Sequence, residues 1–211
     1  MANYNDIKYP SAVSSNATGL GGSWTLIKTQ TVSSSVAAVD FIHGTSNVVL
    51  DDTYEMYLLT MTMVHPSEQK PELLWAPGDG DFTETKLSTN WITRANATEE
   101  GGSTLAVVVG YNDGNHSVQR TAGERIGNNV GNENEKSGSG CLYMFGFGET
   151  DQWKNALGDF VADAHGANDE MESLHFGCNI QQTGAIDRFR LSFTGGTIDS
   201  GIFSLYGLTE S

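Results

Sequence analysis

Apolar residues along this chain recur mostly at every second position. Phe189, Leu191 and Phe193 alternate with Arg188, Arg190 and Ser192, the pattern of a strand with one buried face. A connector, 194–201, carries Gly195, Gly196 and Gly201, residues that supply the positive φ angles turns require. Ile202 to Tyr206 then reads as a returning strand that Gly207 ends. Together they predict a terminal β-hairpin over 186–207, where the core closes.

The same alternation predicts strands over 24–31, 36–42, 72–76, 104–109, 141–147 and 172–181. The longest candidate is 54–64. It carries apolar side chains on both parities, as a strand covered on both faces does. His65-Pro66 is expected to end it. Residues 89–94 read as a further strand or a short bridging piece, and Arg125-Ile126 as a brief strand in a polar passage. Residues 149–169 break the pattern. Trp153, Leu157, Phe160 and Val161 fall near helical spacing, with Gly158 and Gly166 interrupting, so a short helix or a long excursion loop is expected there.

Nine to eleven short strands with Gly, Asn, Ser and Thr between them predict an all-β fold. The expected form is a jelly-roll-like, two-sheet antiparallel β-sandwich with at most one short helix. Residues 1–22 lack periodicity and are rich in small residues, so they read as an extended N-terminal arm before a sandwich domain at 23–211. Tyr4, Ile7, Tyr9 and Leu20 are candidates to anchor that arm on a neighbouring subunit.

Composition narrows the function classes. The chain has 211 residues and a net charge of −15, from 26 acidic and 11 basic side chains. Nucleic-acid binding needs clustered Lys and Arg, and none is visible beyond Arg188 and Arg190. No apolar run approaches a membrane span, and the N-terminus shows neither a basic nor an apolar leader region. Synthesis in a cytosol is expected, which makes Asn16, Asn96 and Asn115 chance matches to the glycosylation pattern. Cys141 and Cys178 lack metal-site spacing and read as buried free thiols, with a disulfide as the alternative.

Catalytic patterns are missing. No nucleophile elbow occurs, and His43, His65, His116, His165 and His175 are scattered; turn or packing roles are expected for each. Glu170 and Glu172 resemble part of a glycosidase carboxylate motif on one strand face, but His175 stands where a third acid belongs, so a solvated strand edge is favoured. Gly78-Asp79-Gly80-Asp81 has too few oxygens for a calcium loop and reads as a turn. No catalytic, cofactor or metal residues are assigned. Trp75, Trp91 and Trp153 fall in or near predicted loops; core or interface packing is favoured, with stacking on a sugar as the alternative.

The sequence Ile186-Asp-Arg-Phe-Arg-Leu-Ser-Phe-Thr-Gly-Gly-Thr-Ile-Asp-Ser-Gly-Ile-Phe-Ser-Leu-Tyr-Gly-Leu208 resembles the C-terminal signature of structural proteins of tailed bacteriophages, marine phages especially. Residues 32–41, 52–57 and His65-Pro66 are similar to the first half of that group. The chain departs from it at 77–81, where a plainer Gly-Gly-Ser turn is usual, and at 149–169, which has no counterpart. The resemblance implies a non-enzymatic virion structural protein made in the host cytoplasm, either capsid decoration or a tail or fibre component. Its implied partners are other virion proteins (major capsid or tail proteins) and copies of itself, possibly as a trimer. The alternative is a carbohydrate-binding, host-recognition β-sandwich module with a glycan partner.

Overall fold

Alternation becomes strand almost everywhere it occurs. The computed structural model describes residues 23–96, 106–108, 123–164 and 170–208, and these contain no helix. The strands are β1 (Trp24–Val32), β2 (Val39–Ile42), β3 (Met56–Pro66), β4 (Leu73–Gly78), β5 (Lys86–Asn96), β6 (Ala106–Val108), β7 (Glu124–Gly127), β8 (Gly138–Phe145), β9 (Lys154–Asp163), β10 (Glu170–Ile180), β11 (Arg188–Phe193) and β12 (Ile198–Leu208). The expected N-terminal arm, His116 and His165 lie outside the described residues.

An eight-stranded sheet runs β1-β12-β3-β8-β9-β10-β5-β6, and a four-stranded sheet runs β2-β11-β4-β7. All pairings are antiparallel, and many nest: β1 with β12, β2 with β11, β3 with β8, β4 with β7 and β5 with β6. Such nesting is a chain folded double and wrapped into two layers, a jelly-roll-like sandwich. The core lies between the inner faces. Phe41, Trp75, Phe189 and Leu191 come from the small sheet, and Tyr57, Leu59, Met144, Phe160 and Phe203 from the large one; all are buried. Phe41 stacks on Phe189 at 4.9 Å between centroids.

Three expectations need correction. The terminal stretch is not a hairpin. Strand β11 pairs with β2 and β4 in the small sheet, while β12 crosses to the large sheet and pairs with β1 and β3. Two adjacent alternating runs look alike whether they pair or switch sheets, so the glycine connector is a corner. At the far end of β12, Gly207 has a packing role: the ring of Tyr54 lies where its Cβ would be.

Of residues 149–169, the described part, 149–164, is neither helix nor excursion, because strand β9 runs through it from Lys154 to Asp163. Its inward side chains are Lys154, Ala156, Gly158, Phe160 and Ala162, while Leu157 and Val161 point outward. That inverted polarity is what mimicked helical spacing. Lastly, β3 continues through His65 to Pro66, and its mixed parity has a local cause. Tyr57, Leu59 and Met61 share the inner face; a register shift between Met61 and Val64 then puts Met63 at φ 50° and returns Val64 to the core.

The rim of the sandwich holds buried charge. Lys154 is 1% exposed and donates from Nζ to the carbonyls of Gln152 (2.8 Å), Gln182 (3.1 Å) and Thr183 (2.8 Å). Lys86, fully buried, donates to the Glu84 carbonyl. Desolvation lowers the pKa of both ammonium groups from the usual lysine value.

Candidate functional site

Strands β1, β12, β3, β8, β9, β10 and β5 of the large sheet present their second parity outward, and the ladder registers arrange these side chains in rows. On β1, β12, β3 and β8 the first row is Trp24, Leu208, Met56 and Phe145, and the second is Leu26, Tyr206, Leu58 and Tyr143. The third is Thr29, Ser204, Thr60 and Cys141. None of these twelve positions is charged. The inner members of the rows half-bury one another, with Trp24 and Tyr143 ring centroids 6.4 Å apart, while Trp24 (40%) and Leu26 (54%) stay exposed at the edge.

The rows continue onto β9, β10 and β5 with a different character. The second row becomes Leu157, Gly177 and Thr89, and the third becomes Asp159, His175 and Trp91. Gly177 interrupts the second row and leaves a hollow of about 270 Å³ lined by Thr89, Trp91, Leu157, Asp159, His175 and Gly177. Trp91 is 55% exposed, and its ring centroid lies 5.0 Å from that of His175, tilted by 47°. His175 Nδ1 contacts Asp159 Oδ1, and because a carboxylate only accepts, the imidazole N–H is the donor. This contact and the indole hold the ring at the hollow's edge.

The tryptophans expected near loops separate into three roles. Trp75 is fully buried on β4, beside Phe147 and Phe176, and is part of the core. Trp91 stands on the outer face of β5. Trp153 is 54% exposed just before β9, outside the hollow.

Glu172 does not sit on a solvated strand edge. It is 1% exposed on the inner face of β10, where Oε1 accepts from Arg94 Nε (2.7 Å) and Asn129 Nδ2 (2.9 Å) and Oε2 accepts from Asn128 Nδ2 (2.5 Å). Glu170 Oε2 lies 3.7 Å from Arg94 Nε. The two carboxylates gather around an arginine, and Glu172 has its acceptor oxygens occupied. Asp81 Oδ1 accepts from both the amide and the hydroxyl of Thr83, and these bonds lower its pKa. Among the described residues no group of three or more His, Cys, Asp or Glu is placed to hold a metal ion.

His43 Nδ1 accepts from the amide of Leu50 at 3.1 Å, and His65 Nε2 lies 3.2 Å from the Glu133 carbonyl. Both cysteines are free: Cys141 faces outward in the third row, whereas Cys178 is buried on the inner face of β10. Burial pushes the Cys178 thiol up from 9.0 to about 12, with nearby Glu124 adding to the shift.

The hollow was missed in the sequence. Its signal was there: Gly177 interrupts an alternating run, and a glycine inside a strand marks a bulge or a close approach. Compared with protein-family models, curated proteins and solved structures, the chain matches none of them.

Proposed function

We propose that this chain is a non-enzymatic structural component of a phage particle that acts by assembling with copies of itself and with other virion proteins. The observation that carries this reading is the uncharged outer surface of β1, β12, β3 and β8. A chain of net charge −15 repels its own copies over most of its surface. Twelve adjoining uncharged positions, edged by exposed Trp24 and Leu26, give two copies a place to meet without opposing carboxylates. The similarity of residues 186–208 to phage structural proteins supports the particle context.

Sedimentation analysis tests the assembly. The expected result is a concentration-dependent oligomer that a Leu26→Glu/Ile202→Glu double variant converts to a folded monomer. Both side chains are exposed, so their replacement leaves the core intact. A wild-type chain that stays monomeric at every accessible concentration, and is absent from purified particles, overturns the reading.

Carbohydrate binding is the second reading. The specific observation in its favour is exposed Trp91 standing beside a hollow on the same sheet, ringed by hydroxyl, carboxylate and imidazole groups.

A further inference from the structure

Glycine has a cost inside a strand, since it orders more backbone freedom than other residues and packs no side chain. Most glycines in this large sheet have a visible reason to be there. A Cβ on Gly140 or Gly158 would run into the backbone of the neighbouring strand, and one on Gly138 into the ring of Phe160. On Gly207 it would meet Tyr54. Gly177 differs. A Cβ there would touch only Thr89 Oγ1, at 3.6 Å, an ordinary van der Waals contact, and its backbone is not in the positive-φ region. Packing accepts a side chain at this position, and the sequence leaves one out.

The consequence is a hollow one side chain deep on an otherwise continuous face. On one side the indole of Trp91 offers a flat apolar surface, and Leu157 offers a second apolar wall. Thr89, Asp159 and His175 place hydrogen-bonding groups around the same rim, and Asn179, next outward on β10, donates to Asn155 Oδ1 at 3.2 Å. An aromatic plane with a ring of hydroxyl, carboxylate and imidazole groups matches the two-sided chemistry of a sugar ring. C–H bonds cover the face of a pyranose and hydroxyls its edge. The rim carries Asp159 and no Lys or Arg, on a chain of net charge −15, which disfavours acidic sugars.

We infer that the hollow over Gly177 binds a neutral hexopyranose unit, its apolar face on Trp91 and its hydroxyls hydrogen-bonded to Asp159 and Thr89. This rests on the carbohydrate-binding reading and names that reading's site and ligand class. It is independent of the assembly surface on β1, β12, β3 and β8.

The test is an NMR titration of the full chain with methyl glucopyranoside, methyl galactopyranoside, maltose and cellobiose, with sialyllactose as the acidic comparison. The Trp91 indole N–H and the Gly177 amide should shift saturably with at least one neutral sugar, and more weakly with sialyllactose. Gly177→Val fills the hollow and should weaken that binding about tenfold or more while the remaining spectrum stays that of the folded chain. Trp91→Ala should do the same without adding volume, which covers the case in which Gly177→Val fails to fold. A sugar that binds with unchanged affinity to both variants, or that moves resonances near Trp153 instead, overturns this site and leaves carbohydrate binding standing. If no sugar shifts any resonance up to tens of millimolar, both fall.

Discussion

Beneath both halves of the large sheet's outer face lies the same kind of apolar layer. Tyr57, Leu59, Leu142, Met144 and Phe203 form it under β1, β12, β3 and β8; Ile92, Phe160, Leu174 and Phe176 form it under β9, β10 and β5. Above that shared layer the halves diverge. One is uncharged, with two rows of aromatic and aliphatic side chains and a third of Thr29, Ser204, Thr60 and Cys141. The other is broken by Gly177 and carries Asp159, Asp163 and His175. The layer below needs neither surface in particular, so their contrast is what the two proposals require of them: a broad contact for protein, and a small recess for a compact ligand.

Removing residues 198–211 strikes the first half hardest and carries the largest expected effect. Strand β12 lies between β1 and β3 and buries Ile198, Phe203 and Leu205. Its loss strips β3 of a partner and β1 of its place in the sheet, leaving main-chain groups unpaired over two strands. The truncated chain should show no cooperative unfolding transition by circular dichroism. A soluble truncation with a sharp transition means the core closes elsewhere.

The seam between the halves, β8 against β9, allows a direct comparison of glycines. Gly158→Ala drives a methyl into the Cys141 carbonyl and against Leu142, and should cost about 3 kcal/mol in urea denaturation. Gly177→Val, one strand away but facing outward, should move stability by no more than about 0.5 kcal/mol. Equal losses at the two sites mean that the recess is packed in solution and the halves do not differ as described.

How far the sequence reveals these surfaces depends on whether a feature is local. Strand β10 follows from alternation because Leu174, Phe176, Cys178 and Ile180 point inward while Ser173, His175 and Asn179 point outward. Strand β9 escapes that logic: Lys154 and Gly158 point in, and Leu157 points out. The sheet switch between β11 and β12 escapes it too, since pairing partners lie more than a hundred residues away in β2, β3 and β4. Glu172 reads as a surface acid because its partners Arg94, Asn128 and Asn129 come from other strands and loops. The hollow has the same origin. Thr89 and Trp91 on β5, Leu157 and Asp159 on β9, and Gly177 on β10 meet only through the ladder registers.

A smaller and more graded effect tests whether the recess stops at Gly177. Cys178, the next residue, points the other way into the layer beneath, and burial raises its thiol pKa from 9.0 to about 12. A pKa that is higher in the folded chain means that the folded state resists ionisation. The stability this contributes is fully present below pH 9.0 and is lost as pH rises towards about 12. The unfolded chain then releases a proton that the folded chain keeps, at a slope of up to about 1.4 kcal/mol per pH unit. Other titrating groups, Tyr57 and the two buried lysines among them, are common to wild type and a Cys178→Ala variant and largely cancel in the difference. Urea denaturation of both between pH 7 and 11 should therefore give a stability difference that is constant up to about pH 9 and then moves against the wild type. A difference that stays flat throughout means that water reaches the thiol from the hollow and ionises it alike in both states. The two halves of the sheet would then differ in the core as well as on the surface.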